Sequence, residues 1–169
     1  CRWRLRIPRA NCVALPEGKT VTDALTTPAT LSVLIVDDEA PARARLRDLL
    51  ADIAAEVPNA VVGEAANSVL ALEAIAGRAV DVMLVDIRMP KMDGIELARH
   101  LGQLEAPPAI IFVTAFDSYA VQAFELNAID YLVKPVRAPR LATALLKVRK
   151  QRPVLAPTVL ATLQQGARM

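Results

Sequence analysis

LSVLIVDDEAPARARL, residues 31–46, runs from a string of apolar side chains directly into three acids, Asp37, Asp38 and Glu39. A run that is apolar on successive positions suits a strand covered on both faces, not one wetted on alternate residues. Pro41 fits a first helical turn, and Ala42, Leu46, Leu49, Leu50 and Ile53 then recur on one helical stripe. The unit is strand, acidic turn, helix.

The same unit recurs downstream. SVLIV (32–36), AVVGEA (60–65), DVMLV (81–85), AIIFVT (109–114) and IDYLV (129–133) read as strands. Between them, Asn67 or Ser68 caps a helix carrying Leu72 and Ile75, with Gly77 as its stop. Asp93 opens another with Ile95, Leu97 and Leu101, residues 118–126 give a fourth ended by Asn127, and Pro139 starts a fifth in which Leu141, Leu145 and Val148 share a face. Alternation of this kind predicts an α/β fold, a doubly wound parallel sheet of five strands with helices on both faces.

With 169 residues, 54% hydrophobic and 22% charged, the chain has material for a proper core. No apolar run approaches the roughly 18 to 20 residues that cross a bilayer, so the expectation is a cytoplasmic protein with no membrane partner. The net charge of +2 is uneven: residues 1–30 are basic, whereas residues 31–150 carry an acidic excess. A core of that sign is a poor holder of a phosphate backbone, so nucleic-acid contact has to come from a segment outside it. Residues 1–30, aperiodic and interrupted by prolines, read as a flexible arm, and residues 151–169 as a linker toward an absent C-terminal domain. The chain begins without Met, which suggests a start that is processed or not native. Cys1 and Cys12 are read as incidental thiols, and Gly18-Lys19-Thr20 as a chance match, because a phosphate-binding loop needs glycine where Val13 stands.

In such a sheet, ligands bind beyond the carboxyl ends of the strands. The first strand delivers Asp37, Asp38 and Glu39 there, the third Asp86, the fourth Thr114 and Ala115, and the fifth Lys134 and Pro135. Each has an ordinary structural reading taken singly: Asp-Asp as a turn, Lys-Pro as a strand exit, Tyr131 as core filling. Their joint placement is the signal. Three carboxylates a few ångströms apart repel by about 3 to 4 kcal/mol per pair at an effective dielectric of roughly 20, so the site is costly unless protons or cations relieve it. Oxygen-only ligands suit Mg2+. With a hydroxyl at Thr114 and an ammonium at Lys134 as donors to phosphate, Asp86 can act as a nucleophile toward phosphorus.

LIVDDE (34–39), VDIRMPKMDG (85–94), VTA (113–115) and YLVKP (131–135) together resemble the receiver domain of bacterial two-component response regulators, over residues 31–150. The resemblance implies a flavodoxin-like sheet of order 2-1-3-4-5 and a phosphoryl group accepted by Asp86 from a sensor histidine kinase or a small phosphodonor. It implies a regulatory phosphoacceptor, not an enzyme, that phosphorylates and dephosphorylates itself with Mg2+. Asp38, Asp86 and the main-chain carbonyl of Arg88 would hold Mg2+ directly, and Asp37 would do so through water. Thr114 would move toward the phosphoryl group, Tyr131 would turn inward behind it, and Lys134, joined to Pro135 by a cis bond, would pair with the phosphoryl oxygens. Met89, Pro90 and Gly94 match the loop after the acceptor. A homodimer through the fourth helix, fifth strand and fifth helix is expected on the same ground. VTAFDSYAVQAFELNAIDYLVKPV (113–136) is similar to receivers of the LytTR type, which precede a DNA-binding domain.

Other readings compete. A phosphorylation-independent interaction module would not need the intact set Asp37, Asp38, Asp86, Thr114 and Lys134, whereas a stand-alone receiver would differ from a transcription regulator only in having no C-terminal domain. An aspartate-using phosphatase would place its nucleophile on the first strand, with a second Asp two residues on. His100, beside Leu101 on the third helix and away from the strand ends, is expected to be a surface or boundary residue.

Overall fold

The computed structural model describes residues 29–151. Cys1, Cys12, the Gly18-Lys19-Thr20 run and the expected tail beyond Gln151 lie outside the described residues. The chain runs β1 (Leu31–Val36), α1 (Ala40–Asp52), β2 (Asn59–Ala65), α2 (Ser68–Gly77), β3 (Val82–Val85), α3 (Gly94–Leu101), β4 (Ala109–Thr114), a 3-10 turn (Asp117–Tyr119), α4 (Ala120–Glu125), β5 (Asp130–Val133) and α5 (Ala138–Gln151). All strands pair in parallel, in the order β2-β1-β3-β4-β5. The expected doubly wound sheet and its strand order are both present.

Burial follows strand position. Every residue of β3 and β4 is buried, and β1 departs only at Ser32. The edge strands β2 and β5 are half-wetted, so the expectation of cover on both faces holds for the three central strands alone. Side chains alternate across the sheet with period two. Val33, Ile35, Leu84, Ile111 and Leu132 pack against Leu46, Leu50, Leu141 and Leu145 of α1 and α5. Leu34, Val36, Met83, Val85 and Phe112 pack against Ala71, Ile95, Leu97, Leu101 and Ala123 of α2, α3 and α4.

Local chemistry sets the helix starts. The side chains of Asn67 and Asp93 accept from the backbone N–H of Leu70 and Glu96, capping α2 and α3. Pro41 sits in the first turn of α1, as read from the sequence. Gly77 closes α2, and the chain leaves through extended Arg78 without a left-handed residue. The fourth helix is shorter than the expected 118–126, because the 3-10 turn takes its first residues. Asn127, at φ 55°, ends the segment in the left-handed region, where asparagine is among the better-tolerated side chains. Asp130 joins β5 to α5 through Arg140 at 2.6 Å and Lys147 at 2.8 Å. Burial alone would raise its carboxyl pKa, but those two hydrogen bonds and the Tyr131 N–H outweigh it and hold the carboxyl well below its ordinary range.

Candidate functional site

Asp37, Asp86 and Lys134 meet because they share a parity. Each stands two residues beyond a side chain that faces α1 and α5, namely Ile35, Leu84 and Leu132. The parallel ladder also continues one residue past each strand. Asp37 N–H donates to Ala65 O at 3.1 Å, Asp86 N–H to Val36 O at 2.8 Å, and Lys134 N–H to Thr114 O at 2.8 Å. The strand register therefore holds all three backbones independently of their side-chain contacts.

Asp37 is 1% exposed and Asp86 7%. Lys134 Nζ reaches Asp37 Oδ2 at 2.8 Å and Asp86 Oδ2 at 3.7 Å. The other oxygen of Asp37, Oδ1, accepts from Glu39 N–H at 2.9 Å, so this carboxylate also shapes the turn into α1. The structural reading of Asp37, as part of a turn, is therefore present in the fold. Asp38 is exposed at the mouth of the site. Carboxylate oxygens of Asp37, Asp38 and Asp86 lie within 4.8 Å of one another, whereas Glu39 stands outside this cluster as the residue preceding α1.

Burial pushes the Asp86 carboxyl above its ordinary range; Lys134 opposes the rise, Asp37 adds to it, the Arg88 backbone N–H opposes it, and Asp38 adds again. For Lys134, burial would lower the pKa, but the hydrogen bond to Asp37 and the charge of Asp86 outweigh it, and the ammonium is held above its usual value. Among the described residues, Lys134 is the one cation in an ion pair with this cluster of three acids. A cluster of hard oxygen donors with surplus negative charge fits a small divalent ion such as Mg2+, with Asp38 on the open side.

The other side chains singled out in the sequence surround this cluster. Thr114 ends β4 fully buried, its hydroxyl accepting from Phe116 N–H at 3.4 Å, and Ala115 beyond it is exposed. Tyr131 is half-buried on the α2–α4 side of the sheet, and its hydroxyl donates to the Phe116 carbonyl. The Lys134–Pro135 bond is cis. Arg88 is exposed, with its guanidinium 4.7 Å from the centre of the Phe116 ring. Gly94 is obligatory where it stands: a Cβ there would lie 2.3 Å from the carbonyl oxygen of Asp86. His100 is exposed on α3, away from the cluster. The sequence reading missed Arg43, whose Nη1 donates to the Asp37 carbonyl at 2.7 Å and whose Nε lies 3.2 Å from Glu64.

Residues 33–146 match the family model described as the response regulator receiver domain. The chain belongs to that family. The receiver family is one of regulatory phosphoacceptor domains and not of conventional enzymes. The chain is 46% identical over 122 residues to a response regulatory protein of Vibrio cholerae serotype O1, covering 72% of this chain and 46% of that protein. It is 45% identical over 120 residues to the positive alginate biosynthesis regulatory protein of Pseudomonas aeruginosa, covering 71% of this chain and 48% of that one. The receiver chain thus spans about half the length of these curated relatives. Among solved structures, the response regulatory domain of protein mrkE from Klebsiella pneumoniae superposes with a TM-score of 0.65 at 33% identity, covering 72% of this chain and 97% of that one. No helix among the described residues is long and apolar enough to cross a membrane.

Proposed function

We propose that the receiver takes a phosphoryl group on Asp86 from a sensor histidine kinase, in a reaction that requires Mg2+, and that this switches a DNA-binding transcription regulator. The observation that carries the reading is the convergence of Asp37, Asp38 and Asp86 within 4.8 Å, with Lys134 between two of them. A carboxylate oxygen of Asp86 attacks phosphorus, the bond to the donor breaks, and an acyl phosphate forms. Attack by water on the same phosphorus later releases phosphate and returns the free carboxylate. Asp38, Asp86 and the Arg88 carbonyl would hold Mg2+, with Asp37 acting through water; the ion supplies charge neutralisation for the transferring group. Lys134 takes the phosphoryl oxygens, Thr114 donates its hydroxyl once drawn toward them, and Tyr131 follows into the space behind it. Ala115 and Pro135 shape the loops that carry these groups.

The output belongs to the part of such proteins that this chain does not cover. Identity to an alginate biosynthesis regulator and the run 113–136 support a LytTR-type regulator, in which a separate C-terminal domain contacts DNA. The surface that carries the signal is α4, β5 and α5, where Val121, Phe124, Val133 and Leu146 are exposed. Apolar exposure of that kind favours a homodimer once phosphorylation shifts the population. Size-exclusion chromatography with light scattering tests this. Beryllofluoride plus Mg2+ should raise the dimer fraction of wild type and leave Asp86→Asn unchanged; an equal response in both would refute the switch.

A further inference from the structure

Every polar group of Asp37 is held. Its N–H binds Ala65, its two carboxylate oxygens take Glu39 N–H and Lys134, and its main-chain carbonyl takes Arg43 Nη1 at 2.7 Å. Asp38 differs. Its side chain makes no hydrogen bond or ion pair among the described residues, so its place at the mouth of the site depends on its backbone alone. The peptide on its N-terminal side is the one whose oxygen Arg43 grips.

Arg43 is itself clamped. Its Nε lies 3.2 Å from Glu64 Oε2 on β2, and Arg47 one turn later lies 2.6 Å from Oε1, fixing that carboxylate from both sides. Helix stability does not account for this arrangement. The start of α1, where the backbone dipole favours acids, carries no acid in its first turn and no side-chain cap from Glu39. Arg43 donates its N–H to the Glu39 carbonyl, which places a cation one turn from the positive end of the helix. Its guanidinium is instead directed at the loop bearing the acids.

We infer that Arg43, braced by Glu64, is a positioning residue that orients the Asp37–Asp38 peptide and thereby sets the affinity of the acidic cluster for its divalent ion. It rests on the Mg2+ reading above, but assigns a role to residues outside the cluster. Electrostatics alone makes the opposite prediction: removing a cation beside three carboxylates should strengthen the attraction of Mg2+. Positioning predicts a weakening, as when the outer partners of metal ligands are lost.

Calorimetric titration of the full chain with Mg2+ alone separates the two, accompanied by thermal melts in chelator. Wild type should take up Mg2+ and Asp38→Asn should not; if either fails, the Mg2+ reading falls, and not merely this inference. Given those controls, Arg43→Gln and the charge-preserving Arg43→Lys should each weaken binding by about tenfold. Glu64→Gln, which leaves Arg43 in place without its brace, should weaken it by roughly threefold. Should Arg43→Gln not fold, Arg43→Lys and Glu64→Gln carry the decision. Affinities within twofold of wild type, or tighter, would overturn the inference even if the melting temperatures fell, since lower stability with unchanged Mg2+ uptake is what a purely structural arginine gives.

Discussion

As the proposed phosphoacceptor, Asp86 has two conflicting requirements. A nucleophile must be charged, yet this carboxyl is almost wholly buried, and burial raises its pKa against the pull of Lys134. The metal-free protein therefore bears a cost at this residue that an uncharged side chain avoids. Asp86→Asn is expected to raise the melting temperature in chelator near neutral pH by roughly 4 °C, read by calorimetry or circular dichroism. The pH dependence has a fixed sign. A carboxyl whose folded pKa lies above its unfolded value binds its proton more tightly when folded, so its penalty fades as pH falls through that raised pKa. The gap between variant and wild type should accordingly narrow on acidification; a gap that widens would contradict the burial account. Arg43 shows why some residues at this scale escaped the sequence. Its partner Glu64 is remote in the chain and on another element, so along α1 it reads as one more solvated arginine.

At the scale of elements, the legible parts were those where one physical signal dominated. β1, β3 and β4 are apolar at nearly every position because they are central, and the acids that follow β1 and β3 could be named from the sequence alone. The edge strands are half-wetted and only roughly bounded by pattern. The fourth helix was blurred most, since Ala123 is its one buried residue while Val121 and Phe124 are 71% and 85% exposed. With so little packing, the period says little about where that helix begins. α3 is the contrary case, defined by the Asp93 cap and by Gly94 against the backbone of Asp86. Gly94→Ala must push this helix start away from the loop that begins at Asp86. Chemical denaturation should show a loss of about 3 kcal/mol, and phosphorylation should slow with it. A neutral result would mean that the close approach is not maintained in solution.

For the whole molecule, the sheet gathers its chemistry at one end and presents apolar side chains on the flank formed by α4, β5 and α5. Phe124, 85% exposed, contributes almost nothing to the core, so Phe124→Glu should change monomer stability by less than about 0.5 kcal/mol. The same change should abolish dimerisation with beryllofluoride, as measured by analytical ultracentrifugation; a dimer of unchanged strength would move the interface elsewhere. The competing aspartate-phosphatase reading has no support here, because β1 is followed by the adjacent acids Asp37 and Asp38 and then by Glu39, with no second Asp two residues beyond Asp37. The central claim, Mg2+-dependent phosphoryl transfer to Asp86, is tested most directly by intact-protein mass spectrometry after incubation with acetyl phosphate. Wild type with Mg2+ should gain the mass of one phosphoryl group, while wild type in chelator and Asp86→Asn with Mg2+ should gain none. Equal labelling of the amide variant, or labelling indifferent to the metal, would contradict the account.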